Sequence, residues 1–305
     1  MTTALMIILA GAVMLILAAF MGHVLGWASK TFHVETDPRI EQVNLALPGA
    51  NCGGCGYVGC LEYAEAVVAA SEAVDKCTVG GASVAKEIAD ILGVAVGQSW
   101  PFRPAVHCGA NFASRLKRSD YRGEKTCASA NIVSGIQGCT YGCTGLGDCE
   151  RSCRFDAIHV VDGLSTVDYE KCVGCGACAK VCPRNIISMV PFKAERMLVV
   201  ACANQDFGRE VKNVCKVGCL GCKACARASD LFSFKDGNIP IIDYDKYDPS
   251  AMEGAEVALA KCPMKRLMMI GKPTDKDLEA VADRKKPKVV TADFKTTVDD
   301  TEWLG

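Results

Sequence analysis

The chain opens on a long uncharged stretch, Ala4 to Trp27: 24 residues, every one apolar or small apart from His23. That length suffices to span a bilayer. A secretory signal peptide would place Lys or Arg ahead of the stretch, and Met1-Thr2-Thr3 supplies neither. The first cation, Lys30, follows the span and Arg39 joins it, with Glu35 and Asp37 nearby. The positive-inside rule then places the remainder of the chain on the cytoplasmic side. Trp27 suits an interfacial anchor, and Gly11 and Gly22 offer a close contact to a partner helix in the membrane. His23 reads as an interfacial residue rather than a haem or proton ligand.

Beyond the span, apolar positions come in short bursts. Leu61 to Val74 predicts a helix with Leu61, Ala64, Val67 and Val68 on one face, and Ser83 to Leu92 predicts another. Ile158, after Asp156-Ala157, and Ile186-Ile187, after Arg184-Asn185, predict the starts of two short strands. Residues 271–305, rich in Lys, Asp and Thr, read as an exposed tail.

Composition changes the picture through cysteine. Among 305 residues there are 20 Cys and 29 Gly, with a net charge of −1. Aromatic residues make up only 7%, too few for one large core, so cofactors are expected to organise several small domains. The balanced charge gives no support to nucleic-acid binding. A disulfide framework would also use many cysteines, but CxxCxxC spacing makes three sulfurs converge on one centre instead of pairing with distant partners.

Four groups take up sixteen of them. The first is Cys52-Gly53-Gly54-Cys55-Gly56-Tyr57-Val58-Gly59-Cys60, closed by Cys77. Its glycines suit a loop that wraps a cubane, where side chains would crowd inorganic sulfide. A structural zinc site also takes four Cys but does not need this glycine-rich turn. The clearest run is Cys172-x2-Cys175-x2-Cys178-x3-Cys182-Pro183, that of a bacterial [4Fe–4S] ferredoxin. Ahead of it stands an irregular copy, Cys139-x3-Cys143-x5-Cys149-x3-Cys153, followed by Arg154 where proline is usual. Residues 139–190 together resemble a two-cluster ferredoxin. In such modules the fourth Cys of each run serves the other cluster. One ligand set is therefore expected to be Cys139, Cys143, Cys149 and Cys182, and the other Cys153, Cys172, Cys175 and Cys178.

The spacing then recurs as Cys215-x3-Cys219-x5-Cys225, with Cys222 added where the first copy has Leu146. Ser229 stands where a crossing ligand belongs, and only Cys262-Pro263 remains of a second run. The repeat is expected to hold one cluster, on Cys219, Cys222, Cys225 and Cys262, with Cys215 as an alternative ligand. Cys108, Cys127, Cys202 and Cys215 are left without an assigned role. The segments AVHCGANF and VVACANQDF look alike, which makes Cys108 and Cys202 equivalent positions of the repeat. Both are read as small buried residues or as alternative ligands.

Weaker signals add little. Arg103, Arg115, Lys117, Arg118, Arg122 and Lys125 make residues 103–125 basic, suited to docking an acidic electron carrier or to a solvated linker. No GxGxxG or GxxxxGK[ST] motif is present, so the chain itself is expected to bind neither NAD nor ATP.

The CGGCGYVGC group resembles the four-cysteine domain in the B-subunit of Rnf-type ion-translocating oxidoreductase complexes. The same domain occurs in corrinoid iron–sulfur proteins and hydrogenase subunits. A corrinoid protein would need a barrel for which no room remains. The order of parts resembles the Rnf B-subunit over roughly residues 1–270. The resemblance implies an electron relay within a translocase, exchanging electrons with soluble ferredoxin or a similar carrier and working with other membrane and peripheral subunits. A polyferredoxin subunit of a membrane hydrogenase is the competing reading. The expected architecture is α+β: a single-pass membrane anchor (1–28), a four-cysteine [4Fe–4S] domain (35–95) and a linker (96–130). A two-cluster ferredoxin-like module (131–195), a degenerate one-cluster module (196–270) and a tail (271–305) follow, with four [4Fe–4S] clusters in all.

Overall fold

The computed structural model describes residues 2–31, 37–97, 100–119, 121–133, 135–234 and 237–273. The expected tail lies outside them from residue 274 onward.

Helix α1, Thr2–Thr31, is a single unbroken helix of 30 residues. At 1.5 Å per residue it runs about 45 Å, more than the ~30 Å hydrocarbon core. From Leu5 on, its apolar side chains pack against nothing else in the chain. Among the described residues it is the one helix long and apolar enough to cross a membrane.

Three helices form the next unit. In α2, Pro38–Ala46, proline sits at the first position and Asp37 accepts the Arg39 N–H, so the helix starts with its φ preset and one donor satisfied. Helix α3 covers Cys60–Val68 and α4 covers Gly81–Leu92. Val43, Leu47, Tyr63, Ala64, Val67 and Ile88 bury their side chains between them. Helix α3 is shorter than the Leu61–Val74 pattern suggests. Ala70 turns into the left-handed region (φ 54°), and Ser71 N–H folds back to the Ala66 carbonyl. The following segment lies against Tyr63, whose hydroxyl donates to Ala73 O (2.8 Å) and accepts from Lys76 N–H (3.2 Å). That reversal delivers Cys77 back to the start of α3.

The rest of the chain builds one nested hairpin arrangement twice. Strand β1, Phe102–Val106, pairs antiparallel with β4, Ile187–Pro191, in register Pro104 to Met189. Between them in sequence lie α5 (Cys127–Ile132), α6 (Asp148–Arg151), the β2–β3 hairpin (Ile158–Val161 with Leu164–Val167) and α7 (Ala177–Lys180). In the second copy β5, Arg196–Val200, pairs with β8, Leu267–Gly271. They enclose α8 (Gly208–Val214), the short β6–β7 pair (Phe232–Ser233 with Ile241–Ile242) and α9 (Glu253–Lys261). Residues 96–130, read as a linker, thus supply an integral strand and a helix. Each sheet has only two strands, a size that is marginal alone and depends on what covers it. In the second copy an apolar cluster provides the cover, with Met197, Leu198, Val199, Phe232, Tyr247 and Ala258 at its centre.

Candidate metal centres

Cysteines gather around cavities that no side chain fills. Cys52, Cys55, Cys60 and Cys77 line one whose unfilled space, counted out to its solvent mouth, is about 330 Å³. The loop is set by Asn51, whose side-chain oxygen accepts the Cys60 N–H at 2.8 Å, while Gly80 N–H points at the Cys77 sulfur at 3.4 Å. Gly54 has no room for a side chain: a Cβ there would stand 3.1 Å from the Cys175 Cα. The loop of the first unit is therefore seated directly on the Cys172–Cys178 loop. Arg154 and Lys180 reinforce this contact through the Asn51 and Gly53 carbonyls, at 3.2 and 3.4 Å.

Cys153, Cys172, Cys175 and Cys178 line a second cavity, also of about 330 Å³. These are the four residues grouped by the crossing rule, Cys153 arriving from the preceding run. Ala157 N–H approaches the Cys153 sulfur at 3.4 Å. Burial pushes the Cys178 thiol up to about 12, and Cys172, Cys149 and Cys175 add to it.

The third cavity, again about 330 Å³, differs from the expected set. Cys143, Cys149 and Cys182 line it, but the fourth cysteine is Cys127 and not Cys139. The reason lies in the irregular run. Leu146 replaces the middle cysteine of a CxxCxxC loop, and Cys127 reaches in from α5 to fill that place. Burial pushes the Cys127 thiol up, while the backbone N–H groups of Asp148 and Leu146 point at its sulfur and lower it. The Asp148 carboxylate holds the start of α5, accepting Cys127 N–H at 2.9 Å and Ala128 N–H at 3.0 Å. Cys143, Cys149 and Cys178 share one buried cluster with Ile158, Ile186 and Ile187, so the second and third cavities are neighbours.

Cys139 stands instead on a fourth cavity, of about 390 Å³, with Cys108, Cys202 and Cys215. Three of the four cysteines that the sequence left unassigned thus meet one that it had assigned elsewhere. The signal was the likeness of the Cys108 and Cys202 segments and of the Cys139 and Cys215 spacings.

The remaining group is Cys219, Cys222, Cys225 and Cys262. Burial pushes the Cys219 thiol up to about 11, with Cys202, Cys262 and Cys225 close enough to contribute. Cys225 is raised by burial and then by Cys222 and Cys262. Arg266 N–H approaches the Cys262 sulfur at 3.3 Å, the counterpart of the Ala157 contact to Cys153. Cys222 is the exposed member. All twenty cysteines are free thiols. Among the described residues no three His, Cys, Asp or Glu side chains are gathered as a single ion requires. Zinc draws its sulfurs to about 2.3 Å from one point; a cubane holds its four thiolates further apart around a larger body. The donor sets, four cysteine sulfurs each with backbone N–H groups aimed at several of them, fit iron–sulfur clusters.

Comparison with known proteins agrees with this chemistry. A family model described as a putative Fe-S cluster matches residues 47–79, and one described as a 4Fe-4S binding domain matches residues 165–188. The chain is 40% identical over 240 residues to the B-subunit of the Na(+)-translocating ferredoxin:NAD(+) oxidoreductase complex of Acetobacterium woodii, covering 78% of this chain and 70% of that one. It is 36% identical to the B-subunit of the ion-translocating oxidoreductase complex of Methanosarcina acetivorans, over 81% of this chain and 92% of that one. With the B-subunit of the proton-translocating ferredoxin:NAD(+) oxidoreductase complex of Clostridium ljungdahlii it shares 35% identity, over 90% of this chain and 95% of the other. An apolar N-terminal helix, cysteine-lined cavities on a succession of small domains and likeness over most of its length place this chain in the B-subunit family of Rnf-type ion-translocating oxidoreductase complexes.

Proposed function

We propose that the chain relays electrons between a soluble carrier and the other subunits of a membrane-bound, ion-translocating complex. The carrier is ferredoxin or a protein like it, and the exchange runs in either direction. The observation that carries the reading is the file of cysteine-lined cavities. The first is seated on the second through Gly54 and Cys175, and the second shares a buried core with the third. Electron transfer needs neighbouring centres in rigid, water-poor surroundings, and this packing supplies both.

Four [4Fe–4S] sites follow from it: Cys52, Cys55, Cys60 and Cys77; Cys153, Cys172, Cys175 and Cys178; Cys127, Cys143, Cys149 and Cys182; and Cys219, Cys222, Cys225 and Cys262. Bound there, clusters supply one-electron chemistry. The chain's own residues hold the thiolates, exclude water and aim N–H dipoles at sulfur. Helix α1 anchors the assembly as a single-pass span, with the domains after Lys30 on the cytoplasmic side. Flavin, nicotinamide and the ion path belong to partner subunits. The names of the relatives support the ferredoxin partner, and two of them name an ion, sodium in one and a proton in the other.

The test is stopped-flow mixing of the air-free complex with reduced ferredoxin. Iron–sulfur absorbance of this subunit should bleach before any flavin is reduced. Flavin reduction at an unchanged rate in complexes lacking the subunit would overturn the reading.

A further inference from the structure

We propose that Cys108, Cys139, Cys202 and Cys215 bind a fifth cluster of the [4Fe–4S] class, which joins the electron path of the first ferredoxin-like repeat to that of the second. The inference rests on reading the other four-cysteine groups as cluster sites, and it adds a site that neither run of the ferredoxin pattern provides.

The cavity belongs to the same class as the other three. Counted out to the solvent mouth, its unfilled space is about 390 Å³ against about 330 Å³ for each of them, and it too presents four cysteines. Its wall is small and apolar, with Ala110, Gly142, Ala203 and Gly218 among the lining residues. Three buried thiols and a half-buried fourth that served only as packing would close onto one another, since interiors leave few voids.

The site is also symmetric. Cys108 lies two residues after β1 and Cys202 two residues after β5. Cys139 and Cys215 open the matching x3, x5 spacings. Each repeat thus contributes two cysteines from equivalent places. The backbone clamps the two halves together: Leu116 N–H donates to Val214 O (2.9 Å) and Lys216 N–H to Ser114 O (2.8 Å). His107 of the first repeat adds a ring-nitrogen contact of 2.8 Å to Val200 O of the second.

Donors and cations face the sulfurs without a carboxylate to answer them. Cys219 N–H approaches the Cys202 sulfur at 3.3 Å, and the Asn204 amide approaches that of Cys139 at 3.5 Å. The same N–H to sulfur contact marks Cys77, Cys153 and Cys262. The buried Arg266 Nη1 has no hydrogen-bond partner and abuts Gly109, where a Cβ would strike it. A buried donor in this state is costly, unless an anion shares its surroundings. Four thiolates on an iron–sulfur core are such an anion.

Position gives the site its role. Cys108 packs against the buried cluster that contains Cys143 and Cys149, which ties the cavity to the Cys127, Cys143, Cys149 and Cys182 site. Cys202 touches Cys219 of the last site. The step is one electron, passed from a reduced neighbouring [4Fe–4S] centre to an oxidised one. No bond forms or breaks and no proton moves.

The experiment uses the full chain, purified in detergent without air, with iron, acid-labile sulfide and zinc counted per chain. We expect about twenty irons in the wild type, four at each of five sites. The Cys108→Ser/Cys202→Ser variant should lose about four of them and gain no zinc. About sixteen irons in the wild type, or one zinc in place of the four that the variant loses, overturns the fifth site and leaves the others standing. Substantially fewer than sixteen sinks the wider cluster reading and this proposal with it. Should the variant not fold, the wild-type count decides alone.

Discussion

Asp148 is the residue whose loss should reveal how the irregular third site is held. Its carboxylate accepts two N–H groups at the start of α5, from Cys127 at 2.9 Å and Ala128 at 3.0 Å. Helix α5 has six residues, too few to persist by itself. Its other restraint at this end is Thr126, whose hydroxyl accepts Ser129 N–H at 3.1 Å. A hydrogen bond to a charged group is worth about 1.5–3 kcal/mol. The Cys127 donor is partly buried and counts nearly in full, whereas water replaces the exposed Ala128 bond, so Asp148→Ala should cost roughly 2 kcal/mol locally. That is about a 30-fold rise in the population with α5 displaced and Cys127 withdrawn. Asp148→Asn keeps one acceptor oxygen and should cost about 1 kcal/mol, roughly fivefold. The assay is the rate at which a strong chelator extracts iron from the air-free protein. In Asp148→Ala about four irons per chain should leave some 30-fold faster, and the rest at the wild-type rate. Uniform extraction at the wild-type rate in both variants would refute the claim that Cys127 is a ligand positioned by Asp148.

Two further outcomes follow from the same geometry. Cys127→Ala should lose about four irons, and adding Leu146→Cys should restore them by recreating an ordinary CxxCxxC loop; an iron count of the single and double variants checks this, and a double variant as deficient as the single one contradicts it. Removing residues 1–31 should give a chain that stays in the supernatant without detergent and keeps its iron, while in the full-length protein labelling of residues 40–270 should occur only from the cytoplasmic side; a truncated chain that still sediments with membranes, or labelling from outside intact cells, refutes the anchor or its orientation.

Much of this was legible in the chain because cluster ligation is local. Three of four thiolates usually sit on one loop, so Cys52–Cys60, Cys172–Cys178 and Cys219–Cys225 announce themselves by spacing. The crossing of Cys153 into the next run follows from the same rule, and the structure brings it to Cys172, Cys175 and Cys178. What spacing cannot carry is a ligand from a separate element. Cys127 lies sixteen residues before Cys143, and only the substitution of Leu146 marks the empty place that it fills. The Cys108 group was harder still. Two of its members come from each repeat, so no single segment contains the pattern, and its existence depends on how β1–β4 and β5–β8 are brought together. Strand β1 itself was hidden: Phe102–Val106 carries a proline and shows no alternation. The end of α3 was hidden too, because Ala70, not a glycine, takes the left-handed turn.

The second repeat shows how the fold is filled where the ferredoxin pattern lacks one of its two cysteine sets. In the first repeat, Cys153, Cys172, Cys175 and Cys178 surround a cavity beneath the β2–β3 hairpin. In the second, Ser229 occupies the position of Cys153, and its hydroxyl accepts the Leu231 N–H at 3.3 Å. No second cysteine loop follows it. Instead α9 packs close, with Gly254 so near Ser229 that a Cβ would stand 3.2 Å from its Oγ. Phe232, Ile242, Tyr247, Ala255 and Ala258 bury their side chains there with Met197 and Leu198. Apolar burial at about 25 cal/mol per Å² can replace the stability that metal–thiolate bonds supply. It cannot replace their conduction. On the proposed assignment the repeat is therefore a terminus, reached by electrons only through its Cys219–Cys262 site. The neighbour of that site in the chain is the Cys108, Cys139, Cys202 and Cys215 cavity, which Cys202 joins to Cys219. A repeat that kept one cluster, far from any other, would be an ornament; a centre at the junction of the two repeats makes it part of the path.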